Sequence, residues 1–334
     1  MLIVVFLLVL FPLAAERKAD SPLRHLPGRM QVLTHFGERA DFSPDNQRVA
    51  FMAKSFGDAF VMDLKTKVIR CLTCSIPGAA FLRVMHLSDG NYILIGPERF
   101  SDIRTGRRQD NQLWFLRKEP GSLPVKLNQK MSEGAAISKS SMKMAWSETS
   151  AQFPELPASY SRLVVAEIGY LGGKPELRNK TTVYESKTAA CRLEAQDFFD
   201  HDSKMTFTCY RPKGLAGVMT IDLASGRVTD HSQADGIYNE VEGVFPEGKY
   251  TLVESSKQVE MLGGEHGSRQ IDIWKLKLDG TGKDFVRVTH FNDYEGWKAS
   301  NPVVSTDGKL MAFQVARAAD EAGVGYGIIL LHLE

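Results

Sequence analysis

Six times along the chain a small or apolar pair runs into a tight polar turn and out into a second apolar run. The first instance is "ADFSPDNQRVAF" (40–51), with Ser-Pro-Asp-Asn as the turn. It returns as "HLSDGNYILIG" (86–96), "AISKSSMKMAWS" (136–147), "FFDHDSKMTFTC" (198–209), "VFPEGKYTLVE" (244–254) and "VVSTDGKLMAFQ" (303–314). With Asp45, Asp89, Ser140, Asp202, Glu247 and Asp307 as anchors, the spacings are 44, 51, 62, 45 and 60 residues. Long helical periodicity is scarce, and short strand-like runs closed by turn residues fill each interval.

Each turn joins two strands, and a third and fourth follow, as in "DAFVMDLKTKVIRCLT" and "IDIWKLKLDGTGKDFVRVTHF". A unit of four antiparallel strands at this period is a propeller blade. One blade cannot bury its faces alone, so the units must stack around an axis. The sequence therefore predicts an all-β fold, a six-bladed β-propeller. The sixth unit ends after its third strand. "MQVLTHFG" (30–37) matches "VRVTHFND" (286–293), the end of the fifth unit. The N-terminal strand is expected to complete the last blade and close the ring.

"FSPDNQRVAF" with "FVMDLKTKVIRCLT", and "VSTDGKLMAF", resemble the WD40-like repeat of TolB-type propellers. The resemblance covers about residues 30–334, strongest in blades one, five and six. It implies the fold, and leaves function open. TolB carries an additional N-terminal α/β domain for which this sequence has no room, which argues against a role in the Tol envelope machinery.

Forty-one basic residues against forty acidic ones give a net charge of +1, so the chain has no global basic field and nucleic acid is not an expected partner. Residues 1–15 form an apolar run ending in Ala14 and Ala15, the pattern of a signal peptide. A cleaved leader and an uncleaved anchor both fit, and the length favours a leader. The expectation is a secreted or periplasmic protein, with one propeller domain over 16–334 and no stable membrane span after cleavage. The four cysteines fit export. Cys71 and Cys74 are expected to bridge locally. Cys191 and Cys209, symmetric about a turn near residue 200, are expected to bridge across a hairpin.

Long segments between second and third strands, 96–112, 147–161, 254–270 and 316–327, emerge on one face, and long loops on a rigid scaffold are where sites are built. Glu38, Glu133, Glu194, Glu242 and Glu295 occupy comparable places before the inner hairpins. Converging carboxylates either staple blades together or, because they repel, hold a cation or polar ligand. The duplicated Thr-His-Phe puts His35 and His290 at equivalent blade ends, candidate metal ligands for a divalent ion such as calcium or manganese. Glu38, Glu242, His266, Arg269, Glu295 and Lys298 are the candidate ligand-binding set. Arginines among aromatics suit an acidic sugar. No nucleophile elbow, P-loop or dinucleotide fingerprint is present, and no catalytic residue is assigned. Two function classes follow: a propeller binding a small molecule, oligosaccharide, peptide or protein on its long-loop face, or a lyase acting on uronic-acid oligosaccharides. The second is implied by similarity to propellers of the oligogalacturonate-lyase type.

Overall fold

The computed structural model describes residues 16–320 and 322–333; the expected leader lies outside them. Strand β1 (Met30–Thr34) comes first. Blade one holds β2 (Glu38–Phe42), β3 (Arg48–Met52), β4 (Ala59–Asp63) and β5 (Ile69–Cys71). Blade two holds β6 (Arg83–His86), β7 (Tyr92–Gly96), β8 (Gln112–Leu116) and β9 (Val125–Lys130). Blade three holds β10 (Ala135–Ile137), β11 (Lys143–Thr149), β12 (Ser161–Leu171) and β13 (Lys174–Ser186). Blade four holds β14 (Arg192–Phe199), β15 (Lys204–Arg211), β16 (Leu215–Asp222) and β17 (Val228–Asp230). Blade five holds β18 (Asn239–Val244), β19 (Tyr250–Ser255), β20 (Asp272–Lys277) and β21 (Phe285–Arg287). Blade six holds β22 (Trp297–Val304), β23 (Leu310–Arg317) and β24 (Ile328–His332).

β1 is the missing fourth strand. It runs antiparallel to β24, from Met30 opposite Leu331 to Thr34 opposite Ile328, so the sixth sheet is closed by the start of the chain. The segment before it is pinned to the blade five–six junction. Arg17 donates to the Asn292 carbonyl at 3.0 Å, and Lys18 exchanges backbone hydrogen bonds with Asp293 and Glu295.

The repeated turn is the hairpin between the two innermost strands of each blade. In blade one Ser43 Oγ donates to Asp45 Oδ1, and the Gln47 amide donates to the same oxygen at 3.1 Å. Blade six copies this with Ser305, Asp307 and Lys309. The residue after the acid needs a left-handed backbone, supplied by Asn46 (φ 56°), Gly90 (84°), Gly248 (67°) and Gly308 (71°). Second strands carry long apolar runs because a neighbouring blade covers each face. Tyr92-Ile93-Leu94-Ile95-Gly96 is buried at every position.

Six principal apolar clusters lie between adjacent blades. The one joining blades two and three is large, with Phe115, Trp146 and Ile93 fully buried. The one joining blades four and five is the smallest, built on Val218, Val241, Val253 and Leu276. At that junction polar side chains take over.

Both disulfides form as expected, Cys71–Cys74 and Cys191–Cys209. The second is diagonal: Cys209 faces Leu193, because the hairpin turns one residue later than a symmetric fold about residue 200. No described helix is long and apolar enough to cross a membrane.

Candidate functional site

The innermost strands surround a channel whose long-loop end widens into a cavity of about 1030 Å³. Glu38 and Arg39 reach it from β2, Arg83 from β6, Glu194 from β14, Glu240 from β18 and Lys298 from β22. Backbone irregularity helps to place them. The β2–β3 register breaks between Glu38 and Asp41, and Arg39 sits in the break at φ 53°. The corresponding break in β22 holds Asn301 at φ 46°. Residues held left-handed without being glycine cost about 1 kcal/mol or more, so surrounding bonds must fix them. The Arg39 amide donates to Gln314 Oε1 at 2.8 Å, and the Asn301 amide donates to Glu254 Oε1 at 2.5 Å.

Charge divides the cavity into two sides. On the blade one–two–three side Arg107 grips Glu133 with two hydrogen bonds, 2.6 and 2.8 Å, and Arg39 Nη2 stands 3.8 Å from the same carboxylate. Burial opposes ionisation of Glu133, but Arg107 and Arg39 outweigh it and hold the carboxyl at about 2. Burial likewise works against the charge of Arg83, and the field of Glu242 and Glu194 more than restores it.

On the blade four–five side Glu194, Glu240 and Glu254 stand among Arg192, Arg211 and Arg269. Burial, then repulsion from Glu133 and Glu240, pushes Glu194 up to about 8. Burial and Glu240 raise Glu254 to about 7. Glu242 is driven well above the carboxylate range by burial and by Glu254. Glu240 accepts hydrogen bonds from the hydroxyls of Tyr210 and Tyr238, which burial keeps protonated.

Several atoms facing this space lack a protein partner. Arg39 Nε, Arg83 Nε, Glu38 Oε2, Glu194 Oε2 and Ser132 Oγ are buried with no hydrogen bond. Native proteins leave few such groups, and each one costs about 1–3 kcal/mol unless something else satisfies it. Here donors and acceptors of both signs converge on one cavity.

Of the residues expected from the sequence, the structure gathers Glu38, Arg269 and Lys298 at the mouth. Lys298 donates to the Ser268 carbonyl at 3.0 Å. Glu242 lies deeper, in a second cavity of about 440 Å³ toward the tight-hairpin face, to which Arg39 and Arg83 also contribute. His266 stands beside the mouth, its Nδ1 3.0 Å from Ser256 Oγ, and does not line it. Glu295 is not brought there. It is exposed, its amide donating to the Lys18 carbonyl, because blade six presents Lys298 to the channel instead. His35 and His290 are also exposed, and neither belongs to a described cluster able to hold a metal. His290 Nδ1 faces Asp293 Oδ2 at 3.4 Å.

Two described clusters have metal-ligand spacing. One is Asp58 with Cys71 and Cys74, whose sulfurs are consumed by their disulfide. The other is Glu240, Glu242 and Glu254. Arg39, Arg83, Glu240, Glu254 and Tyr238 were not among the sequence candidates, whereas Tyr210 stood among the aromatics expected beside the loop arginines. A sign was present: charged residues inside inner strands, one in "FLRVMH" and two in "NEVEG".

No protein-family model and no curated protein matches the chain. Solved structures do. The acylaminoacyl peptidase of Pyrococcus horikoshii superposes with a TM-score of 0.50 at 10% identity, over 86% of this chain and 43% of that one. TolB from Acinetobacter baumannii gives 0.49 at 13% identity, over 85% of this chain, which spans 65% of the TolB. A putative TolB from Agrobacterium tumefaciens gives 0.39 at 13% identity, over 91% of this chain and 94% of that one. The likenesses are of fold: the structural neighbours include TolB-like propellers.

Proposed function

We propose that the chain is an exported binding propeller whose channel mouth, on the long-loop face, seats a small polar ligand carrying an anionic group, an acidic oligosaccharide being the best fit. The supporting observation is the pair of buried arginines, Arg39 and Arg83, whose Nε–H groups make no hydrogen bond inside a cavity of about 1030 Å³, Arg39 Nε standing 3.7 Å from Glu38 Oε1. A guanidinium offers a planar fork to a carboxylate, and burial strengthens the bond it makes. Glu38 Oε2 and Glu194 Oε2 on the walls supply acceptors for sugar hydroxyls. Export is supported by two disulfides, which belong to oxidising compartments.

A thermal-shift and calorimetric panel of acidic oligosaccharides against their neutral counterparts tests this. Only the acidic members should bind, and Arg83→Gln should weaken binding about tenfold or more. Equal binding of neutral members, or an unchanged Arg83→Gln, refutes it.

Glu194 favours a second reading, elimination on a uronic-acid sugar. Its carboxyl, raised to about 8, is poised to exchange a proton near neutrality beside arginines that would neutralise the uronate. Appearance of unsaturated uronate absorbance that Glu194→Gln abolishes would select it over simple binding.

A further inference from the structure

We propose that the wall of the channel formed by blade five is a calcium site, with Glu240, Glu242 and Glu254 as its ligands. The sheet itself assembles them. Glu240 on β18 stands directly opposite Glu254 on β19, and Glu242 follows two residues after Glu240. One carboxylate oxygen from each lies within 4.8 Å of the others, and all three residues are buried. Oxygens sharing one calcium sit about 2.4 Å from it and so at most about 4.8 Å apart, which this spacing satisfies.

Like charges directly opposite in an antiparallel pair destabilise it. Here three converge in a buried place; Arg83 and Lys298 offset part of their repulsion from a distance, and no described cation pairs with them directly. None of the three takes part in an ion pair among the described residues. Three nearby cations are engaged elsewhere, Arg107 on Glu133, Lys298 on the Ser268 carbonyl and Arg192 over the Tyr210 ring at 4.4 Å, which leaves Arg83 as the one whose field reaches Glu242. Hydrogen bonds orient the carboxylates without cancelling their charge. Tyr210 and Tyr238 hold Glu240, the Asn301 amide holds Glu254, and Asn301 Nδ2 reaches Glu242 at 3.3 Å.

An independent observation points the same way. Glu194, 1% exposed, lines the same cavity as Glu240 and Glu254 and keeps Oε2 without a partner. It adds a buried, unpartnered oxygen to the cavity onto which Glu240 and Glu254 open, outside the group of three. The donor set is all carboxylate, with no imidazole or thiolate, which selects a hard cation. Calcium tolerates an irregular oxygen cage completed by water, whereas magnesium demands a near-ideal octahedron. None of the three blade-five carboxylates is a contact of the anionic group proposed above, although Arg83 and Glu194 border both places.

The test uses the full chain, stripped by chelator, then titrated with calcium by calorimetry and with terbium by tyrosine-sensitised luminescence. One saturable site is expected, with terbium emission displaced by calcium and weaker displacement by magnesium. Glu242→Gln and Glu254→Gln, each checked for folding by near-ultraviolet circular dichroism, should weaken calcium about tenfold or more, and the exposed Glu247→Gln should not. Two variants guard against one failing to fold. Absence of saturable binding at millimolar calcium, or equal affinity in wild type and both variants, overturns the proposal.

Discussion

Glu240 and Glu254 face one another directly across the first two strands of blade five, both buried. They lie near the blade four–five junction, where Tyr210, Tyr238 and Asn301 supply hydrogen bonds beside two small apolar clusters.

From that pairing comes the first prediction. In chelator, Glu254→Gln should raise stability by about 0.5–1 kcal/mol, because it removes one of two opposed like charges while keeping an acceptor for Asn301. In saturating calcium the order should reverse, with wild type the more stable. Thermal midpoints of the two proteins in both buffers decide it.

Ring closure gives the second. Deleting 16–34 removes β1, with buried Met30 and Leu33, and the Arg17 clasp on Asn292. The whole propeller should lose more than about 3 kcal/mol in one cooperative transition, since each blade is supported by its neighbours. Chemical denaturation measures this, and an unchanged midpoint would show that β1 is dispensable.

Asp197 gives a pH dependence. Burial raises its carboxyl to about 7, from an ordinary 3.8. A group whose folded pKa is raised contributes stability fully at low pH and loses it as pH climbs through the folded value. Asp197→Asn keeps the hydrogen bond from the Val244 amide at 3.0 Å and abolishes that loss. The variant should be the more stable at about pH 8, with the difference vanishing by about pH 4. Unfolding curves at both pH values check the sign.

The fold was legible because turn chemistry is local. Ser43 and Asp45, or Ser305 and Asp307, close the same hairpin in blades one and six, and the shared Leu-Thr-His-Phe-like strand betrayed the closure. The site was less legible because which side chain enters the channel depends on bulges. Arg39 and Asn301 break the strand alternation, so counting back from the hairpin misplaces the channel-facing residue. In "NEVEG" that counting chose Glu242 alone, whereas Glu240 is the one at the wider mouth. Glu295 and His290 looked equivalent to channel residues by sequence, yet they cap the outer junction where the N-terminal segment docks.

The central claim concerns which end of the channel binds and through which groups. A crystal structure of the protein with the best-binding acidic oligosaccharide tests it most directly. The anionic group is expected within hydrogen-bonding distance of Arg39 and Arg83, in the cavity on the long-loop face. An oligosaccharide bound on the tight-hairpin face, or at the mouth with its anionic group turned away from both arginines, would contradict it.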